Sequence, residues 1–308
     1  MSIRAMISPP VAGGPPRAII VGAVCGLAAA VIWAAQVSVS AIAVRGSLPA
    51  PDLMAIRYLT GGLVMLPVLV RYRGLGPLAG IGWGRGIVLA VAGGVPFNLA
   101  LSGGLVFAPA SHNSIITNGL IPVFALLMGA FLLKTLPRRR EVGGMTLVAA
   151  GIVALGWQSV MTDRTMPDAW IGDLIYVLAA FLWAGYTVAC RRWRVDPLRG
   201  TAVVTVLSLA YLPLWLSLFD SHIPVAPLGD IALQAVYQGI VAGLVSLIVY
   251  TRAVENLGSN TASLFSAIVP ALAILIAMPA LGEIPGPLEW TGMALATGGM
   301  VLALSRRR

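Results

Sequence analysis

The feature that most constrains this chain is a succession of long apolar runs separated by short breaks rich in Arg, Pro, Gly or Asp. The runs cover residues 18–44, 53–70, 86–107, 112–133, 142–160, 170–190, 201–219, 231–251, 260–281 and 288–304. A helix needs about 20 apolar residues to cross the hydrocarbon of a bilayer. Hydrocarbon offers no partner to backbone N–H and C=O groups, so spanning segments are helices or closed barrels. Runs of this length read as spanning helices. Composition agrees: 58% of the 308 residues are hydrophobic and 10% charged, against about 25% charged in an average soluble protein. A soluble domain of this length could not cover its surface with so few charges. The expected fold is therefore all-α and integral to the membrane, with ten transmembrane helices. The short breaks leave no room for a separate soluble catalytic domain.

Charge sets the orientation. Let side A be the side on which the N-terminus lies. Seventeen of the 20 basic residues then fall on side A, leaving only Arg45 and Arg164 on side B and Arg57 inside the second span. Eight of the 11 acids fall on side B. Basic loops stay cytoplasmic, so both termini are expected inside. The net charge of +9 thus reads as membrane orientation, and no nucleic-acid partner is expected. All basic residues but Lys134 are Arg, and Ala and Gly are abundant. This points to a GC-rich bacterial genome, hence to the bacterial inner membrane. Residues 1–17, with the stretch SPPVAGGPP, read as a flexible cytoplasmic tail. The run after it is too long for a signal peptide's apolar region of about 7–15 residues. Cys25 and Cys190 read as reduced, small apolar side chains.

The chain also repeats itself. A shift of 148 residues brings Ser111, Pro122, Leu133, Pro137, Glu141, Gly144, Met145 and Gly151 onto Ser259, Pro270, Leu281, Pro285, Glu289, Gly292, Met293 and Gly299. A shift of 150 brings residues 27–34 onto 177–184 and pairs Trp33 with Trp183. The repeat unit is five spans, residues 18–160 and 170–304. Five is odd, so the two copies enter the membrane from opposite sides. Inverted repeats of this kind build many secondary transporters, with substrate near the midplane between the halves.

Those residues carry a family resemblance. A small residue beside Trp opens each half, Arg57 follows in the second span, and a polar helix with a central Pro forms the fourth. A short turn and a Gly-rich fifth span complete the unit. The chain resembles the ten-helix, EamA-like exporters of the drug/metabolite transporter superfamily, most of all the bacterial aromatic amino-acid exporter group. The second copy keeps the family's Pro270, Glu283, Gly292 and Gly299, whereas the counterpart of Glu283 in the first copy falls at Lys134–Thr135. The resemblance implies export of small metabolites of the amino-acid class, aromatic ones included, by alternating access. It implies no cofactor and no metal.

Residues at mid-membrane depth are the candidate substrate contacts. Proline leaves the carbonyl four residues earlier without its helical partner. Pro122 and Pro270 would free the carbonyls of Asn118 and Ser266, giving two hinges beside polar side chains; the alternative is an ordinary kink satisfied by neighbouring hydroxyls. Gly94, Asn98 and Ser102 form one stripe, and Gly239, Gly243, Ser246 and Tyr250 nearly another. Such stripes serve close helix packing or line a cavity. Gln36, Tyr186 and Gln238 extend the polar set. Trp33 and Trp183 offer large apolar faces to a solute or to helix packing. Together these place a site between the halves, lined by spans one, three, four, six, eight and nine. Arg57 is expected to snorkel to the side B interface, or to pair with Asp52 or Glu283 when that face closes.

No Asp or Glu falls at the centre of a span, and His112 and His222 lie near side B. Carriers driven by protons use intramembrane ionisable groups, so transport without an obligatory proton gradient is expected. A membrane enzyme acting on a lipid-linked substrate would want an acidic metal cluster or a His–acid pair, and the loops are too short and lack both. No catalytic residue is expected. A nucleotide-sugar or lipid carrier of the same superfamily is the alternative cargo class. The expected partners are a small solute and the bilayer, with the protein acting as a monomer.

Overall fold

The computed structural model describes residues 16–134, 138–161 and 166–304. The tail, expected over residues 1–17, lies outside them but for its last two residues, and so does Arg164. The described chain forms ten membrane-length helices. These are α1 (Pro16–Arg45), α2 (Ala50–Arg71), α3 (Trp83–Val106), α4 (Ala110–Leu133) and α5 (Arg139–Met161) in the first half. The second half contains α6 (Ala169–Trp193), α7 (Pro197–Leu218), α8 (Leu228–Leu257), α9 in two pieces (Ser259–Ala267 and Val269–Leu281) and α10 (Pro287–Leu304). No strand occurs among the described residues. Eight of the ten pass as membrane spans on length and hydropathy alone; α5 and α10 complete the set. Prolines open several helices, as Pro197 and Pro287 do for α7 and α10. A first-turn proline forfeits no intrahelical bond there. The Asp196 side chain accepts the backbone N–H of Arg199 and caps α7.

Large apolar side chains point outward: Ile20, Leu63 and Val153 are each more than half exposed. On a soluble protein such a surface would drive association; here it faces lipid. The interior is built instead from small residues. Ala29, Ala30 and Ala34 of α1 and their repeat mates Ala179, Ala180 and Ala184 of α6 are all fully buried. Lipid tails are as apolar as the helix surfaces, so helices associate by close backbone approach, which small residues permit.

The packing is closed under exchange of the halves. Helix α1 packs on α8 and α9, while α6 packs on α3 and α4; α2 pairs with α7, α4 with α9 and α5 with α10. The α5–α10 seam shows the symmetry atom by atom. A Cβ at Gly144 would lie 2.4 Å from the Gly299 carbonyl oxygen, and one at Gly299 would lie 2.5 Å from that of Gly144. Gly151 and Gly292 face each other likewise, at 2.9 and 3.2 Å. The repeat mates are Gly144 with Gly292 and Gly151 with Gly299, so each glycine meets the mate of the other glycine on its own helix. That crossed pattern is the mark of a two-fold interface, here between inverted halves of one chain.

Helix ends repeat as well. Glu141 accepts the backbone N–H of Arg138 at 2.7 Å, and its mate Glu289 accepts that of Gly286 at 2.6 Å. Helix α4 stops at Lys134 (φ 53°, ψ 37°) and α9 at Gly282 (φ 69°, ψ 14°), equivalent positions that both turn left-handed.

Two interior irregularities were not anticipated. Helix α3 breaks at Gly94 (φ −96°, ψ −133°), which ends one helical piece and N-caps the next, where Asn98 and Ser102 lie one turn apart. A side chain at Gly94 would run into Ser208 of α7, at 2.6 Å. In α8, residues Ala235–Val245 form a wide π-helical stretch. Both occur near mid-helix, where backbone irregularity in a membrane survives only when buried in protein or lining a water-filled space.

Candidate functional site

The polar residues of the interior form a chain across both halves. Asn98 of α3 donates through Nδ2 to the Tyr58 hydroxyl on α2 at 2.9 Å, and at 3.1 Å to the Gly94 carbonyl, which also accepts the Asn98 backbone N–H. Next to Tyr58, Arg57 turns inward, and its Nη1 donates to Oε1 of Gln238 on α8 at 2.6 Å. Gln238 in turn donates through Nε2 to the Ser40 hydroxyl on α1 at 2.8 Å, with Gln234 Oε1 at 3.4 Å. Asn98, Gln238 and Ser40 are all buried. The expectation for Arg57 is thus corrected. It neither snorkels nor meets Asp52 or Glu283, because α2 and α8 approach closely enough for Gln238 to take its guanidinium. A Cβ at Gly239 would lie 2.7 Å from Thr60 Cβ and 3.1 Å from the Gly61 nitrogen, so glycine there sets that approach. Helix α2 therefore joins the interior set, which the sequence reading gave to spans one, three, four, six, eight and nine.

The two mid-membrane tryptophans are held in equivalent aromatic contacts. Trp33 on α1 lies 5.1 Å from Tyr250 of α8, ring centre to ring centre. Trp183 on α6 lies 4.6 Å from Phe97 of α3 and 4.9 Å from Tyr186. Each indole thus meets an aromatic ring on the helix of the opposite half. Aromatic pairs at these separations contribute about 0.5–1.5 kcal/mol beyond area burial.

The remaining candidates are more local. Asn118 donates to its own helix at Ser114 O (3.0 Å), Ser246 to Ala242 O (2.6 Å) and Ser266 to Ser263 O (2.6 Å). Ser102 is buried, and Gln36 is half-buried on α1. The two hinge candidates differ. Pro122 sits inside an unbroken α4, whereas α9 breaks at Ile268 (φ −89°, ψ −7°), two residues before Pro270. There the Ile268 N–H turns back to the Ser266 carbonyl. The Ser266 carbonyl is therefore engaged, a departure from the freed group expected.

Most polar contacts between helices lie at the side B ends, and the sequence reading did not pair them. Arg45 Nη1 meets Glu283 Oε1 at 2.6 Å, and its other nitrogens donate to the Leu105 and Ala108 carbonyls at 3.0 and 3.1 Å. Glu283 Oε2 accepts the Ala110 N–H at 2.9 Å, so the second half caps the start of α4. His112 Nδ1 lies 2.8 Å from Asp173 Oδ1, and its Nε2 lies 3.7 Å from Glu289 Oε1. The Ser111 hydroxyl also donates to Glu289. Asp52 accepts the Trp215 indole N–H at 2.7 Å and the His222 N–H at 2.6 Å, and Ser47 donates to Asp230 at 2.6 Å. A signal was available: the acids cluster on side B, two of them, Asp173 and Glu289, just inside apolar runs.

Helix α4 records the consequence. Residues 110–117 are buried without interruption, while from Asn118 to Ala130 only Gly119 and Gly129 are. The bundle is sealed at side B and looser at side A.

An inverted pair of five-helix bundles, closed at one end around a polar and aromatic interior, defines a multi-pass membrane transporter. The chain belongs to the EamA-like transporter family, which it matches twice, over residues 20–157 and 170–305. It is 28% identical over 225 residues (69% of this chain, 71% of the other) to a probable terminal-alkyne amino-acid exporter from Streptantibioticus cattleyicolor. It is 24% identical to an uncharacterized transporter of Archaeoglobus fulgidus over 261 residues, 83% of this chain and 88% of that one. A solved crystal structure of 24% sequence identity superposes with a TM-score of 0.59, covering 92% of this chain and 96% of the other, and shares the fold.

Proposed function

We propose that the protein exports small metabolites of the amino-acid class across the bacterial inner membrane by alternating access, with both termini cytoplasmic. The observation that carries this reading is the unequal closure of the two ends. Side B is tied shut by residues from both halves, whereas α4 loses its burial toward side A from Asn118 onward. A carrier closed at side B takes up its solute from side A, which the charge bias assigns to the cytoplasm. The similarity to a probable terminal-alkyne amino-acid exporter supports the substrate class. The solute would sit between the halves, its apolar part against Trp33, Trp183 and Tyr186. Gln36, Asn98, Ser102, Asn118, Gln238, Ser246 and Ser266 would supply polar contacts. Pro122 and Pro270 would serve as hinges. Transport would run down the solute gradient with no obligatory proton gradient, by a monomer in the bilayer.

The test is uptake of the twenty radiolabelled amino acids into proteoliposomes, with and without an imposed pH gradient. Saturable uptake of an amino acid down its own gradient is expected. No uptake of any amino acid, or concentrative uptake driven by pH alone, would refute the corresponding part. Reporter fusions at residue 308 check the orientation, and a periplasmic C-terminus would overturn it.

A further inference from the structure

Arg57 is a cation placed about 10 Å along α2 from its side B start, at 1.5 Å of rise per residue. Its guanidinium bonds to the neutral Gln238 oxygen, and among the described residues no carboxylate lies within ion-pair distance. An Arg inside hydrocarbon costs free energy unless an anion or water meets it. The fold itself does not require this charge. The crossing of α2 with α8 recurs, by the repeat, as the crossing of α7 with α3. There the positions equivalent to Arg57 are Thr205 and Leu207 (shifts of 148 and 150), and α7 carries no charge from Gly200 to Leu218. Helices α3 and α7 still pack against each other there without a charge, so helix association at this crossing does not by itself call for Arg57.

Its surroundings fit an anion. A guanidinium has five N–H donors in a planar fork that matches a carboxylate. Gln238 offers an amide that can rotate away, and Tyr58 and Asn98 bring a hydroxyl and an amide alongside. Gln238 stands in the π-helical stretch of α8, and Asn98 one turn after the α3 break. Wide turns of this kind occur frequently at functional sites. Both irregularities therefore lie beside Arg57 and its partners.

We infer that Arg57 is the anchor for the carboxylate of the transported solute, with Gln238 as the neutral group that occupies it when no solute is bound. This deepens the proposed function, since it rests on a carboxylate-bearing cargo, but it would hold for any organic carboxylate.

The test uses full-length protein in lipid nanodiscs and follows thermal unfolding. The probes are L-phenylalanine, L-leucine, 3-phenylpropionate and hexanoate, each beside its carboxamide. At least one acid is expected to stabilise the wild type where its amide does not. Arg57→Lys should weaken acid binding about tenfold, since the planar fork is lost. Gln238→Glu supplies an internal carboxylate to Arg57; it should fold normally and lose the preference for acids. If the wild type responds equally to acids and amides, or to neither, the inference is overturned. It also falls if Gln238→Glu or Arg57→Lys binds acids as the wild type does. Binding of the simple carboxylates without uptake of any amino acid would sink the amino-acid reading and leave the carboxylate anchor standing.

Discussion

Helices α4 and α9 are repeat mates with prolines at equivalent positions, yet they differ in chemistry and in shape. Helix α4 opens with Ser111, His112, Asn113 and Ser114, all buried at side B among Glu289, Asp173 and the Leu101 carbonyl. It then runs unbroken through Pro122. Helix α9 begins at side A, has no ionisable group in its first piece, and breaks before Pro270. The same backbone plan therefore serves as a fixed, tied element in one half and a divided one in the other. Inverted symmetry lets the two exchange roles in principle; the placement of charge decides which end is held shut. Glu283 ties the side B end, while its counterpart at the side A end falls at Lys134–Thr135, with no acid to repeat the tie.

The largest way to break this comparison is to attack what the halves share. Gly144 and Gly299 press on each other's carbonyls, so a Leu at either forces the α5–α10 seam apart. Overpacking of this kind costs about 1–3 kcal/mol or more. Gly144→Leu and Gly299→Leu should both abolish a monodisperse product, to a similar degree. Gly298→Ala, where an added Cβ meets nothing within 4 Å, should purify normally. Unequal damage from the two Leu variants would show that the seam is not two-fold.

Next comes what the halves do not share. Glu283→Gln removes the charge that holds Arg45 and weakens its cap on Ala110. The pair is partly exposed, so its contribution is closer to about 1 kcal/mol than to that of a buried pair. That still shifts an open-to-closed ratio by roughly fivefold. Labelling of a cysteine at Thr117, buried at 3% exposure, by a reagent added from side B should rise accordingly. Unchanged labelling would mean that the other ties suffice.

A smaller effect is expected at the prolines, and there the sign of the asymmetry matters. Pro270→Ala restores an N–H beside the α9 break and removes the ring that disfavours a straight helix. Transport should slow by a few-fold (about 1 kcal/mol of barrier), while Pro122→Ala, in a helix already continuous, should change it less. Equal effects would make both helices hinges.

How much of this was legible in the sequence follows from the range of each interaction. The ten helices were legible because hydropathy is a local property, and the inverted repeat because Pro, Gly and Glu keep register over 148 residues. The Trp33 and Trp183 pairings were half-legible, since repetition marked the residues but not the rings they meet. Arg45 with Glu283, 238 residues apart, and His112 with Asp173, 61 apart, have no periodic signature. Arg57 was misread because its distance from the span end suggested the interface. What turns it inward is Gly239 on another helix, which brings Gln238 within reach.

The smallest effect concerns a place where the halves adopt the same backbone with different residues. Lys134 and Gly282 both close their helices in the left-handed region, at φ 53° and 69°. Glycine enters that region without penalty, whereas a side chain meets the following carbonyl and costs about 1–2 kcal/mol. Lys134 is exposed at the end of α4. Lys134→Gly should therefore relieve strain at no cost in packing. It should raise the thermal midpoint of the purified protein slightly, by the equivalent of about 1 kcal/mol, less what glycine's greater freedom returns to the unfolded chain. The mirror change, Gly282→Lys, should lower the midpoint by a similar amount. A drop in stability for Lys134→Gly would show that the lysine makes a stabilising interaction that outweighs its backbone strain.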